Sequence, residues 1–217
     1  MRNSKILGFC HKRRHMTQIY YLDIDRIEPD VKEAMISDIE KAEMVIKYNT
    51  KPDYFRSVSG WWLVLTIVDP TLTQEKIEYS KHGKPYVKGL SKHFNISHSG
   101  NIVVLAVSDS EVGVDVQLIP ENISKPLLEK ILSSDEIRIH SLDLKDFFTK
   151  KWTSLESYSK FKGLSVFNER LLDDIKKGLG HQTFFDITDS KNAKYKICVT
   201  CFGAAPDKIL ELETRSK

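Results

Sequence analysis

Asp115, Glu156 and Lys160 stand where their side-chain types could do chemistry. Asp115 lies in VGVDVQLI, in which Val112, Val114 and Val116 alternate with Gly113, Asp115 and Gln117, the period of a strand. A polar pair two residues apart on one face of an otherwise apolar strand is costly to bury unless it binds something. Glu156 falls in WTSLESYSKFKG one helical turn after Trp152, and Lys160 follows one turn later. Spacing of this kind ordinarily makes a surface ion pair of little consequence. Few and hard oxygen donors, such as Asp115 and Glu156, suit Mg2+, which keeps waters and takes its remaining ligands from a substrate's phosphates.

Cations for such a substrate are at hand in Lys84 of GKPY, His98 of FNISHSG, Arg56 and Lys160. Beside Gly and Ser in turns, where backbone N–H groups are also free, they describe an anion pocket. Glu136 in SSDE has the spacing of a helix cap from Ser133. The run His11 to His15 is either a phosphate contact or a solvated tail.

GKPY, FNISHSG, GVDVQ and WTSLESYSKFKG, in this order and at this spacing over about Arg56 to Ser165, resemble the motifs of the surfactin-type 4′-phosphopantetheinyl transferases. The resemblance implies an α+β fold, a pseudo-twofold arrangement of two similar helix-plus-sheet subdomains with coenzyme A in the cleft between them. The implied reaction transfers the 4′-phosphopantetheine arm to a serine of an apo acyl- or peptidyl-carrier protein, needs Mg2+, and releases adenosine 3′,5′-bisphosphate. By position in the motifs, Asp115, Gln117 and Glu156 become the metal ligands and Lys160 the pyrophosphate contact. Arg56 and His98 take the 3′-phosphate, Lys84 and Pro85 line the adenine side, and Ser97 assists from a phosphate-binding turn. Two positions depart from the family's pattern. Leu155 precedes the glutamate where lysine is usual, and because it falls in the helix's apolar stripe it is expected to pack. Gln117 replaces a frequent glutamate and removes one negative charge from the metal's surroundings. A non-catalytic module that only holds coenzyme A or a carrier is the competing reading.

The elements that must position these residues are legible as well. A first strand is expected from Met16 to Ile24, then a helix from about Pro29 to Tyr48 interrupted by Lys51-Pro52-Asp53, then a buried helix from Tyr54 to Val68 stopped at Asp69-Pro70. IEYS, GKPYV, FNISHS, IVVLAVS and VGVDVQLI read as strands or extended pieces, with Ser99-Gly100-Asn101 as a turn. A helix near Ser124 to Leu132, another opening at SSDE, a long one from Lys145 to Lys162 and the strands TFFDIT and KYKICVT complete the second half. Both halves place a long helix before a hairpin, which suggests residues 16–111 and 112–217 as two subdomains, with 1–15 as an extension ahead of Met16.

Composition bounds the partners. The chain has 217 residues, 33 Lys plus Arg against 30 Asp plus Glu, and a formal charge of +3. That permits an anionic ligand but is too even for a nucleic-acid groove. Three cysteines, Cys10, Cys198 and Cys201, are too few for a disulfide framework and fit a reducing, cytoplasmic setting. In CVTC the thiols are three apart on a strand and point to opposite faces, so core cysteines are expected and not a metal pair. WWLVLTIV is far short of the ~20 apolar residues of a membrane span. A monomer is expected, since a pseudodimer already supplies both sides of its cleft.

Overall fold

Every residue of IVVLAVS is buried in the computed structural model, which describes residues 16–46, 50–168, 170–178, 180–204 and 206–214. The proposed extension, its basic run and Cys10 lie outside the described residues. In chain order the elements are β1 (Thr17–Asp23), α1 (Pro29–Lys41), α2 (Lys51–Ile67), β2 (Ile77–Tyr79), β3 (Pro85–Val87), β4 (His93–Ser99), β5 (Ile102–Ser108) and β6 (Val112–Leu118). They continue with α3 (Lys125–Ile131), α4 (Ser134–Ile139), α5 (Leu144–Lys162), α6 (Arg170–Lys176), β7 (His181–Thr188), β8 (Lys194–Cys201) and β9 (Leu210–Glu211).

One sheet runs β4-β5-β1-β9, a second runs β6-β8-β7, and β2 with β3 makes a small hairpin. Strand periodicity divides the core. Val103, Leu105 and Val107 of β5 meet Met35 and Ile39 of α1 and Val58, Leu63 and Val64 of α2. The alternate residues Ile102, Val104 and Ala106 face the second sheet, where Val112, Val114 and Val116 pack with Ile197 and Val199. Each such fully buried side chain contributes roughly 1.5–3 kcal/mol. The result is a layered α+β arrangement, helix on sheet on sheet on helix, with α5 covering the outer face of the second sheet. The alternation expected of VGVDVQLI holds, and it turns Gly113, Asp115 and Gln117 toward α5.

Two helix boundaries differ from expectation. α1 stops at Lys41, and Glu43 adopts a positive φ of 57°. Ala42 and Met44 still bury their side chains in the same core, so their apolar spacing continues while the helix does not. Lys51-Pro52-Asp53 opens α2 instead of interrupting a helix: Thr50 Oγ1 accepts the Asp53 N–H at 3.3 Å. Proline in a first turn forfeits no helical hydrogen bond. α6 and β9 are additions to the expected elements, and β9 pairs in parallel with Tyr20 and Tyr21 of β1.

The CVTC thiols separate as expected. Cys201 joins the core between the sheets, and Cys198 lies fully buried beside Ser157 of α5. Burial raises the pKa of both thiols. Among the described residues no helix is long and apolar enough to cross a membrane.

Candidate active site

β4 and β6 are edge strands of different sheets, and side chains join them. Asn95 Oδ1 accepts the Val114 N–H at 2.8 Å, Ser97 Oγ the Val116 N–H at 3.3 Å, and Ser99 Oγ the Leu118 N–H at 3.0 Å. Asp115 is thereby held between two anchored peptide groups. Its Oδ1 accepts from Ser97 Oγ at 2.9 Å and from Lys160 Nζ at 2.6 Å. Its Oδ2 is buried without a hydrogen-bond partner among the described residues.

α5 reaches this strand because Gly113 has no side chain. A Cβ there would lie 2.1 Å from the Ser157 carbonyl oxygen and 2.4 Å from the Phe161 nitrogen. The close approach brings Glu156 and Lys160 over Asp115. Lys160 does not pair with Glu156 as its spacing suggests; it turns to Asp115 and also donates to Ser97 Oγ at 2.9 Å. Burial raises the Glu156 pKa above its ordinary 4.5, with Lys160 opposing the shift and Asp115 adding to it. A buried orphan oxygen beside a second partly desolvated carboxylate is a donor set that a divalent cation satisfies.

The expected phosphate cations form a neighbouring group. Arg56 Nη1 donates to Gly100 O at 3.1 Å, and Nη2 pairs with Asp53. His98 shares this side. Crowding by the surrounding protein, then the charges of Arg56 and Lys160, lower its pKa from 6.5 even though the residue is exposed. Consecutive residues of a strand face opposite ways: Ser97 joins Asp115 while His98 lines a cavity of about 250 Å³ with Ser57, Trp61, Pro85 and Ile96. Lys84 is tied down, its Nζ donating to Glu111 Oε2 at 2.7 Å and Val112 O at 2.9 Å.

No family model matches the chain. It is 30% identical to a 4′-phosphopantetheinyl transferase of Bacillus subtilis over 213 residues, which span 88% of this chain and 93% of that protein. The chain belongs to the 4′-phosphopantetheinyl transferases. The 4′-phosphopantetheinyl transferase Sfp of Bacillus subtilis (strain 168) is 32% identical over 174 residues, 72% of this chain and 78% of the relative. The corresponding gsp transferase of Aneurinibacillus migulanus is 33% identical over 140 residues, 59% of this chain and 56% of its own. This chain is therefore a transferase of the surfactin type, as its motifs suggest.

Several expected site residues of this transferase sit differently from a simple reading of the motifs. Ser97 is on β4 and not in a phosphate-binding turn, and its hydroxyl is committed to Asp115, Lys160 and the Val116 N–H. Gln117 lines a separate cavity of about 260 Å³ with Phe148 and Trp152. Leu155 is only 4% exposed and packs with Ile131, Leu132 and Phe148, as its place in the apolar stripe foretold. Glu136 completes a capping box with Ser133 and pairs with Lys151, and these contacts bring its pKa down to about 2. Among the described residues no group of three or more His, Cys, Asp or Glu could hold a metal, so a cation here would have only two carboxylates and neutral oxygens to bind. Sequence reasoning missed the edge-joining roles of Asn95 and Ser99, although alternate polar residues in FNISHS were a visible signal. It also missed Tyr195, whose hydroxyl accepts the Asn101 N–H at 3.2 Å and donates to Asp189 at 2.9 Å, propping the turn after β4.

Proposed function

We propose that this transferase moves the 4′-phosphopantetheine arm of coenzyme A onto a serine of an apo acyl- or peptidyl-carrier protein, with adenosine 3′,5′-bisphosphate leaving. The observation that carries the reading is the Oδ2 of Asp115, buried and without a hydrogen-bond partner among the described residues, next to Glu156 and Lys160. Asp115 and Glu156 would hold Mg2+, with Gln117, which faces a different cavity, contributing through water. When bound, the ion supplies neutralisation of phosphate charge as the bisphosphate departs.

The chain's own residues then have distinct tasks. Arg56 and His98 bind the 3′-phosphate, and Pro85, which lines a cavity with His98, flanks the adenine side. Lys84, fixed by Glu111 and Val112, holds the β2–β3 hairpin over that side. Lys160, already poised at Asp115, meets the pyrophosphate. The serine oxygen attacks phosphorus and the bond to the bisphosphate breaks. Glu156, or a water on the ion, would take the serine proton. Cations fixed before the ligand arrives stabilise the developing charge without reorganising.

We read residues 16–111 and 112–217 as two similar half-units that share this cleft and do not work apart. Their joint core between the sheets supports that reading. Incubation with coenzyme A, Mg2+ and a panel of apo carriers should add one phosphopantetheine mass to a carrier. Unmodified carriers throughout, or full activity in Asp115→Ala, would overturn the assignment.

A further inference from the structure

A second set of polar side chains lies under α5 and has no task in the reading above. Gln182 of β7 grips one helical residue twice: its Oε1 accepts from Ser154 Oγ at 2.7 Å, and its Nε2 donates to Ser154 O at 2.9 Å. The same Nε2 donates to Thr200 Oγ1 of β8 at 3.1 Å. Thr200 Oγ1 and Ser157 Oγ are 2.7 Å apart, and Ser157 Oγ donates to Gly113 O at 3.1 Å. Because the one Ser157 proton goes to Gly113, Thr200 must donate to Ser157. The chain of donors is then complete from Gln182 through Thr200 and Ser157 to Gly113, and it crosses all three strands of the second sheet.

We propose that Gln182 and Thr200 are positioning residues that fix the register of α5, and with it the placement of Glu156 and Lys160 over Asp115. The inference rests on the transfer reading. The Gly113 contact sets how near α5 comes, but a backbone contact of that kind does not stop a helix sliding or rotating. Hydrogen bonds to Ser154 and Ser157 do, because they lapse over a fraction of an ångström. Glu156 lies between these two residues and Lys160 one turn beyond Ser157. The Lys160 Nζ contact to Asp115 is 2.6 Å, so a slide of about 1 Å takes it out of hydrogen-bond range. Thr200 and Ser157 are fully buried, where apolar residues of similar shape would pack without the need to satisfy polar atoms. Polar groups retained at that depth, each with its proton accounted for, point to a demand for geometry.

Thr200→Val keeps the shape and removes the relay, Thr200→Ser keeps the hydroxyl, and Gln182→Met keeps length without a donor. Steady-state transfer, thermal melting and Mg2+ binding by calorimetry would be measured for each, with Ile19→Val, in the core between the sheets, as a control for stability alone. Thr200→Val and Gln182→Met should lower kcat tenfold or more and weaken Mg2+ binding several-fold, with KM for coenzyme A within about twofold. Thr200→Ser should stay close to wild type. Unchanged kcat and Mg2+ affinity in the folded variants would overturn the inference, as would equal losses in an Ile19→Val protein of matched melting temperature. A wild type that binds Mg2+ but modifies no carrier defeats the transfer reading alone, since the calorimetric comparison still tests the register. A wild type that does neither defeats both.

Discussion

Gly113→Ala places a single methyl group at the contact on which the site depends. The new Cβ would meet the Ser157 carbonyl oxygen at 2.1 Å, the Phe161 nitrogen at 2.4 Å and the Phe161 Cα at 2.9 Å. All three are backbone atoms of α5, so no side chain can rotate away. Ordinary contact begins near 3.4 Å, and the helix must retreat by roughly 1 Å to restore it. Overpacking of this kind costs about 1–3 kcal/mol, and in a domain of this size each kcal/mol lowers Tm by roughly 2–4 °C. The larger effect is on chemistry. Glu156 and Lys160 travel with α5 while Asp115 stays on β6, and misplacement by about 1 Å costs ~100-fold in rate. Transfer to a carrier, followed by mass spectrometry at a temperature where circular dichroism shows the variant folded, separates the two losses. A variant with wild-type Tm and wild-type kcat would refute the reasoning, because it would mean that α5 need not approach β6 through Gly113.

Other outcomes follow from the ionisable groups. Glu156→Gln should abolish transfer yet raise Tm at neutral pH in metal-free buffer: the folded state penalises the charged glutamate, so the gain is full above its raised pKa and vanishes below 4.5. Equal melting of the two proteins at pH 7 would contradict this. Glu136→Ala should lose stability at pH 7, on the order of 1 kcal/mol for the cap, and the gap to wild type should close as pH falls from 4.5 toward about 2; a gap that ignores pH would place the effect elsewhere. His98 is disfavoured as a cation in the free protein, so binding of coenzyme A should draw in a proton. Calorimetry in buffers of different ionisation enthalpy should show uptake that is absent with the 3′-dephospho ligand and in His98→Gln. Cys198 and Cys201, both buried, should resist thiol reagents until the protein unfolds, and rapid labelling of either in the native state would disprove their core placement.

Much of this molecule could be read from residue order because its signals are local. Period-two alternation in VGVDVQLI turned Asp115 outward from the core between the sheets, and the apolar stripe of α5 correctly absorbed Leu155. Ser133 and Glu136 announced their cap. What escaped was set by tertiary contact. Lys160 has a carboxylate one turn away on its own helix but finds a better-placed one on β6, and nothing in helical spacing distinguishes the two. Ser97 takes a turn role by resemblance although FNISHS reads as a strand, and its true contacts appear only once β4 is seen to lie along the edge of β6. Thr50 and Pro52 carried a legible start signal that the interrupted apolar run before them obscured. Gln182 offered no signal, since a half-buried glutamine in a strand is commonplace until its two bonds to Ser154 are known.

The side chains joining β4 to β6 also bear on how the molecule avoids unwanted association. An edge strand with open N–H groups invites pairing with a strand from another chain, and proteins protect such edges by bulges, charges or cover. Here Asn95, Ser97 and Ser99 occupy the outward N–H groups of Val114, Val116 and Leu118, so β6 is closed to a foreign strand without being extended by another one. Short polar side chains do this without adding a strand to either sheet. The same three residues tie the alignment of the two sheets to the site, since a slip of β4 by two positions would carry the Ser97 hydroxyl away from Asp115.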